Sequence, residues 1–391
     1  MSRGEKEGVP IPGAHCVLVP SKPARVIHRS RRSCGLDEPR ATRARDVICA
    51  GMYRACSTWQ YEVVGHLVEQ RLQGQRLGYV TGEVYKTRHT SRCTRPTGGQ
   101  ATRWRVLKSH EGHPSFARAL HCGKAVAVYV FRDLRDVVDS LMYKWGATFN
   151  QLLRQGMIHQ ILANDRFWRS QPGVLVQRYE ELVDDPATAV VQLGRHLGLG
   201  VTRREATEIA EEFSLESNRT RIEALRRRLA EAGVDLHGSA GLQICDPVTL
   251  LHWNHLRPAE STSWEAGADP RRHAILERLH GDWLRANGYG WTDHDAARTG
   301  NLGFAPAFDL KARCDLALGR AAVALRRAAA SFPLAARMVK RLLGITVSGM
   351  HDVVPWPASA PEDAVGSPVR IEQPGEEDSS QPLPLSPCPA S

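Results

Sequence analysis

A short apolar strand that leads through a tight loop into a helix is the feature that most constrains this chain. Residues 47–50 form an apolar run that predicts a buried strand, and residues 57–72 carry apolar positions at helical spacing. Ser57 and Gln60 have the spacing of a capping box, which predicts that the helix begins there. A loop that ends at a helix N-terminus offers N–H groups and the positive end of the helix dipole to an anion. The segment therefore predicts a site for a phosphate-bearing ligand.

This loop differs from the Walker loop of ATP-binding proteins. The Walker pattern places a lysine beside the β- and γ-phosphates, whereas Cys56, Ser57 and Thr58 occupy the last three loop positions here. The cation of the loop is Arg54, in its middle. This favours a nucleotide without a γ-phosphate. A strand-to-helix turn with Ser or Thr at the helix start also occurs without any ligand, so that alternative stays open.

Composition limits the class of protein. The chain has 391 residues and a formal net charge of +10, which suits an anionic ligand or substrate. No named nucleic-acid motif is present, so no nucleic-acid partner is expected. The nine cysteines are scattered without a C-x-x-C pair, which argues against a disulfide framework or a zinc site and favours a reducing compartment. No run approaches the roughly 20 apolar residues of a membrane span, and we expect a cytoplasmic protein.

Strand and helix patterns alternate from residue 46 onward. A continuous β-branched run at 125–131 is typical of a strand buried on both faces of a parallel sheet. The alternation predicts an α/β fold, a P-loop-like doubly wound parallel sheet flanked by helices, with its ligand site at the carboxyl ends of the strands. Further strands are predicted at 105–107 and 173–177, and helices at 115–121, 135–145, 187–197, 202–232 and 270–287.

The ends of the chain differ from its middle in composition. Residues 1–45 are rich in Arg, Ser and Pro, and residues 346–391 in Pro, Ser and acids, so both are predicted to be disordered. Residues 298–345 form a predicted helical C-terminal extension, in which 306–344 are basic and amphipathic with a break near Pro333. Two interpretations stay open: a helix packed on the main domain, or a helix in peripheral contact with an anionic membrane surface.

Two strand ends carry candidate chemistry. Arg132 follows the strand at 125–131, and Ser140 lies eight residues later; a guanidinium and a hydroxyl suit a phosphate, although Arg132 could also form a structural salt bridge.

Lys108 and His110 end another strand, and i, i+2 spacing predicts that they face the same side. An imidazole can take a proton from an acceptor while an ammonium neutralises charge on a transferred group. His110, Glu111 and His113 lack the helical i, i+4 zinc spacing, so no metal is expected.

Together these segments resemble the sulfotransferases that use 3′-phosphoadenosine 5′-phosphosulfate (PAPS). That family has a P-[KR]-S-G-T-T-W loop, a K-[ST]-H strand end, an R-x₇-S element, a Y-E-D-L segment and a terminal R-K-G…D-W loop. The resemblance covers about residues 46–292, and the predicted sulfotransferase domain spans 46–297. The corresponding segments here are Tyr53–Trp59, Lys108-Ser109-His110, Arg132…Ser140, Tyr179-Glu180-Glu181-Leu182 and Arg257…Trp264.

The resemblance implies a role for each matched residue. The loop residues would bind the 5′-phosphosulfate, and His110 would be the general base with Lys108 beside the sulfuryl group. The implied PAPS-binding residues are Arg54, Ala55, Cys56, Ser57, Thr58, Trp59, Arg132, Ser140, Tyr179 and Arg257. Trp59 and Tyr179 would contact the adenine, and Arg132 and Ser140 would bind the 3′-phosphate. The acceptor would be a hydroxyl or amine on a small molecule, glycan or lipid.

The chain departs from the family pattern at several positions. Cys56 replaces the loop glycine, and Pro258 and Ala259 replace lysine and glycine of the terminal loop, where Asn254 and His255 could substitute.

Two rival functions stay open. A catalytically inactive nucleotide-binding or interaction protein is suggested by these replacements, and a P-loop kinase by the fold class. The kinase should carry a Walker lysine and a Mg²⁺-binding carboxylate at a strand end.

Overall fold

The described residues of this computed structural model, 45–90, 104–236, 244–256, 269–290 and 306–330, contain one five-stranded sheet. The strand order is β2-β3-β1-β4-β5, and each neighbouring pair is parallel. The predicted α/β fold with a parallel sheet flanked by helices is therefore confirmed. The strands are β1 (Asp46–Gly51), β2 (Gln75–Tyr79), β3 (Arg105–Ser109), β4 (Ala125–Phe131) and β5 (Val174–Arg178).

Helices follow the strands along the chain. Before β4 lie α1 (Ser57–Leu72), α2 (Gly82–Thr90) and α3 (Pro114–His121). Between β4 and β5 lie α4 (Leu134–Trp145), α5 (Phe149–Arg154) and α6 (Met157–Arg169). After β5 come α7 (Tyr179–Asp184), α8 (Pro186–Leu197), α9 (Arg203–Glu212), α10 (Leu215–Glu231), α11 (Pro270–Ala286) and α12 (Pro306–Ala330).

The sheet is buried on both faces. Side chains of β1 alternate between two apolar cores: Ile48 packs in one with Tyr129, and Val47 packs in the other with Val128. This is the packing that the continuous apolar runs of β1 and β4 predict, because a strand covered by helices on both sides has no polar face. Burial of both strands fixes their register and therefore the positions of their carboxyl ends.

The strand order also determines where a ligand can bind. The connection after β1 leads to β2 on one side of the sheet, and the connection after β4 leads to β5 on the other side. The two connections diverge and leave a crevice at the carboxyl ends of β1 and β4, which is where open α/β sheets bind ligands. The loop 51–56 and Arg132 both lie at these ends.

Helix α12 packs on α5 and α6. Ala312, Leu316 and Val323 are buried, and Arg154 donates a hydrogen bond from Nε to Asp315 Oδ1 at 2.7 Å. This supports the packed-helix interpretation for residues 306–330, whereas 331–344 lie outside the described residues. Within the described part of the chain, no helix has the length and apolar character needed to span a bilayer.

The contact between α12 and α5 requires a glycine. A Cβ atom at Gly319 would lie 2.1 Å from the Leu153 carbonyl oxygen and 2.9 Å from the Gly156 Cα. Gly319→Ala should therefore lower the free energy of unfolding by about 1–3 kcal/mol, although alanine is the better helix former by about 1 kcal/mol. Chemical denaturation measures the change.

Gly281→Ala in α11 is the matched control. Its Cβ would meet only the flexible ends of the Arg285 and Glu277 side chains, at 2.9 and 3.0 Å. This variant should keep or gain stability. Equal gains for Gly319→Ala and Gly281→Ala would contradict the close packing of α12 on α5.

Candidate functional site

The loop between β1 and α1 adopts an unusual backbone. Arg54 and Cys56 have φ angles of 64° and 66°, in the left-handed region that non-glycine residues rarely adopt. Cys56 is the N-cap of α1, and no side chain caps this helix end. The first N–H groups of α1 are therefore left for a ligand, as the anion-site prediction requires.

The predicted start of α1 is confirmed, but the predicted capping box is wrong. Helix α1 begins at Ser57, so Ser57 is its first helical residue and not its N-cap. Gln60 donates from Nε2 to Gln177 Oε1 at 2.7 Å and ties α1 to β5. The left-handed backbone of Cys56 is what turns the chain into the helix.

Arg54 connects the loop to two other segments. Its Nε donates to Ser140 Oγ at 2.8 Å, and its Nη2 donates to the His255 carbonyl oxygen at 2.5 Å. The loop cation is therefore oriented before any ligand binds. Ser140, which the sequence groups with Arg132, contacts Arg54 instead.

Arg132 lies between a carboxylate and an aromatic ring. Its Nη2 pairs with Asp136 Oδ2 at 2.9 Å, and its guanidinium carbon lies 4.0 Å from the centre of the Tyr179 ring. The salt-bridge alternative for Arg132 is thus present in this structure, with Asp136 as the partner. Asp133 instead caps α4 and pairs with Arg135. Arg132 is oriented by both contacts and lines the cavity described below.

Lys108 is buried against the start of α1. Its Nζ donates to Thr58 Oγ1, and the Nε2 atom of His255 lies 3.5 Å from the same oxygen. Burial lowers the pKa of Lys108 to about 8. The Lys108 side chain thus lies at the helix N-terminus, where a bound anion would raise its pKa and favour the charged ammonium form.

His110 lies beyond the end of its strand. The prediction that Lys108 and His110 share a strand face assumed a strand through residue 110, whereas β3 ends at Ser109. The His110 ring stacks on Tyr53 at 4.2 Å, and its Nδ1 lies 2.7 Å from the Gly51 carbonyl oxygen. A carbonyl only accepts, so Nδ1 carries the hydrogen and the neutral ring has its lone pair on Nε2.

A cavity of about 470 Å³ lies beside the loop. Seven of the predicted ligand residues line it: Arg54, Cys56, Thr58, Trp59, Arg132, Ser140 and Tyr179. Ala55, Ser57, Lys108 and His110 lie outside its lining, although all four belong to the same strand ends and loop. Arg257 falls outside the described residues. The cavity therefore combines a helix N-terminus with three guanidinium groups and three aromatic rings, since Arg219 and Phe213 also line it.

Sequence patterns gave little or no sign of some residues of this site. Glu62 lines the cavity, pairs with Arg221 at 3.2 Å, and has its pKa raised to about 7 by burial. It lies one turn after Thr58 on α1, so helical periodicity would have found it. His255, which the sequence offered as a substitute in the terminal loop, also lines the cavity, and burial followed by the charge of Arg54 moves its pKa well below its usual value. No local pattern predicts its contact with Thr58.

The family model described as "Sulfotransferase domain" matches residues 44–232. No curated protein matches the chain.

Three solved structures are similar to the chain at low identity. One is a mouse sulfotransferase, SULT7A1, complexed with PAP, at 14% identity, 62% of this chain, 84% of that chain and a TM-score of 0.43. Retinol dehydratase with retinol and PAP has 18% identity, 62% and 82% coverage and a TM-score of 0.41. Retinol dehydratase with androsterone and inactive cofactor PAP has 16% identity, the same coverage and a TM-score of 0.39.

The backbone at Cys56 predicts a gain of stability on substitution by glycine. A left-handed conformation destabilises a residue with a Cβ atom by roughly 1–2 kcal/mol. Glycine avoids this strain, but the larger entropy of its unfolded chain offsets roughly 0.4–1 kcal/mol of the gain. Cys56→Gly should therefore be up to about 1 kcal/mol more stable than Cys56→Ala, which keeps the Cβ atom. Urea denaturation of both variants measures this. A less stable Cys56→Gly would mean that side-chain packing dominates at this position.

Proposed function

We propose that this chain, whose residues 44–232 match the sulfotransferase domain model, transfers a sulfuryl group from PAPS to a hydroxyl or amine acceptor. The product would be adenosine 3′,5′-bisphosphate (PAP). Such transfer needs in-line positioning and neutralisation of charge more than covalent catalysis, as phosphoryl transfer does.

One observation carries this proposal. The cavity joins the uncapped N-terminus of α1 to Arg132 and to the rings of Trp59 and Tyr179. PAPS has a matching set of parts, namely a 5′-phosphosulfate, a 3′-phosphate and an adenine. The helix N-terminus with Arg54 suits the phosphosulfate, Arg132 suits the 3′-phosphate, and the aromatic rings suit the base.

His110 is the proposed general base. The acceptor hydroxyl or amine would give its proton to Nε2 of His110 as its oxygen or nitrogen forms a bond to sulfur. The bond between sulfur and the phosphate oxygen breaks, and PAP leaves with the electron pair. Lys108, at the start of α1, would offset the negative charge on the leaving oxygen.

The acceptor and location complete the proposal. The acceptor class remains a small molecule, a glycan or a lipid with a nucleophilic hydroxyl or amine. Cys49, Cys56, Cys122, Cys245 and Cys314 are free thiols, and a reducing, cytoplasmic location agrees with them.

Nucleotide preference separates this proposal from a kinase. PAP should bind at least about tenfold more tightly than ATP, because a charge-assisted hydrogen bond to the 3′-phosphate contributes roughly 1.5–3 kcal/mol and the loop has no lysine for a γ-phosphate. Calorimetric titration measures both affinities, and Arg132→Ala should remove most of the preference. ATP binding as tight as PAP binding would instead support the kinase.

Loss of His110 should affect turnover and spare nucleotide binding. General bases contribute about 10²–10⁴ in rate, so His110→Ala should lose turnover by that factor and keep nearly full affinity for PAP. His113→Ala is the control, because His113 caps α3 and pairs with Glu83. Turnover with ³⁵S-labelled PAPS and a competent acceptor is the measurement. Nearly full activity in His110→Ala would refute the assignment, and PAP binding without any turnover in the wild type would support the inactive protein.

A further inference from the structure

Tyr53 belongs to the β1–α1 loop but is not among the implied PAPS-binding residues. The P-[KR]-S-G-T-T-W pattern has a proline at the position of Tyr53. The Tyr53 side chain is only 8% exposed and packs in the same apolar core as Ile48 and Tyr129. A proline has no aromatic face, so the stack of Tyr53 on His110 is a feature that the pattern does not predict.

Two contacts from the same short loop hold the half-buried His110 ring. The Gly51 carbonyl oxygen lies 2.7 Å from Nδ1 and fixes the position of that edge of the ring. The Tyr53 ring lies against the face of the imidazole, with centroids 4.2 Å apart and planes inclined by 28°. The hydrogen bond alone leaves the ring able to tilt, whereas the stacked ring fixes the tilt. The direction of Nε2 therefore depends on both contacts.

The Tyr53 ring is itself held by aromatic packing. It meets the Trp145 ring of α4 edge-on, with centroids 6.3 Å apart and planes at 66°. Such edge-to-face pairs are a preferred arrangement of aromatic rings. The Tyr79 ring of β2 lies 6.0 Å from the His110 ring, so aromatic side chains of two elements and the loop surround the imidazole. Tyr53 thus offers His110 a fixed surface.

The aromatic face of Tyr53, and not its hydroxyl, makes the contact with His110. Among the residues that the structure describes, the buried Tyr53 hydroxyl has no hydrogen-bond partner. A buried hydroxyl without a partner is destabilising. Substitution can separate the two parts of the side chain, because phenylalanine keeps the ring and removes only the hydroxyl.

We propose that Tyr53 is the positioning residue of the base: its ring directs Nε2 of His110 toward the acceptor and stabilises the imidazolium that forms. This inference rests on the proposed function. As the O–H or N–H bond of the acceptor breaks, its proton forms a bond to Nε2, and the His110 ring gains a positive charge. A cation within about 6 Å of the centre of an aromatic face is attracted to it, and the His110 ring lies well within that distance.

Removal of the ring should lower turnover and spare nucleotide binding. Tyr53→Leu keeps an apolar side chain without an aromatic face, so kcat should fall about tenfold. Calorimetry should give an affinity for PAP that is close to that of the wild type. Tyr53→Phe should keep the wild-type kcat and be at least as stable, because the stack is retained and an unpaired buried hydroxyl is removed. Tyr53→Met, a second variant without a ring, should behave as Tyr53→Leu does.

A double-mutant cycle tests whether Tyr53 acts through His110. In the His110→Ala background no imidazole is left to position, so Tyr53→Leu should cause no further loss of turnover. A purely structural role of Tyr53 would lower turnover by the same factor in both backgrounds. Transfer from ³⁵S-labelled PAPS to 4-nitrophenol, and release of labelled sulfate with water as the acceptor, are the measurements.

Tyr85→Leu is the matched control. Tyr85 is also buried, its ring packs on Phe116 with centroids 4.9 Å apart, and its hydroxyl donates to Asp46 Oδ2 at 2.8 Å. Leucine at this position should lower the free energy of unfolding, as chemical denaturation measures, and leave the kcat of the folded enzyme unchanged. Loss of an aromatic ring from the core is thereby separated from loss of the stack on His110.

The outcomes separate this inference from the proposed function. A wild type that transfers no sulfuryl group to 4-nitrophenol or to water would refute both. Turnover in the wild type with the same loss from Tyr53→Leu in both backgrounds would refute the role of Tyr53 and leave the function intact. So would a Tyr53→Phe variant as slow as Tyr53→Leu, or a loss of PAP affinity in Tyr53→Leu as large as its loss of kcat.

Discussion

The close contact between the β1–α1 loop and the end of β4 is the constraint on which the site depends. Met52 N donates to the Val130 carbonyl oxygen at 2.9 Å, and a Cβ atom at Gly51 would lie 2.7 Å from Val130 Cγ1. There is therefore no room for a side chain at Gly51, and the chain leaves β1 in a tight turn. This contact brings Arg54 beside the helix that carries Ser140, and it aims the N-terminus of α1 into the crevice. The ligand residues of three elements converge because this one junction is fixed.

Burial of a cation affects the chemistry of this site as much as its ion pairs do. Arg132 is partly neutralised by Asp136, whereas the pKa of Lys108 is lowered by burial to about 8. Arg54 and Lys108 each donate a hydrogen bond to a neighbouring group, so both cations are oriented before a ligand binds. An anion then enters a site that needs little rearrangement, and its charge favours the protonated form of Lys108.

The sequence predicted the elements whose burial is continuous and missed those whose position depends on distant contacts. The predicted strand at 125–131 coincides with β4, because a fully buried strand must be apolar throughout. Strand β2 was missed because it is an edge strand and its side chains are largely half-exposed, so it has no apolar run. The helical pattern at 202–232 contains two helices, because Ser214 caps α10 after α9 ends. The Cys56 backbone misled the capping-box prediction, since no local pattern reports a left-handed residue.

The two histidines near this loop, His110 and His255, have different tautomers and therefore differ in whether Nε2 can accept a proton. His255 Nδ1 accepts the backbone N–H of His252 at 3.1 Å, so its neutral ring carries the hydrogen on Nε2, which faces Thr58. That ring has no lone pair to offer toward the helix start. In His110, Nδ1–H donates a hydrogen bond to the Gly51 carbonyl oxygen, so the lone pair lies on Nε2. The carbonyl that closes the loop thus also sets the protonation of the proposed base. The loop geometry and the acid–base chemistry therefore depend on the same residue, and a change at Gly51 would disturb both.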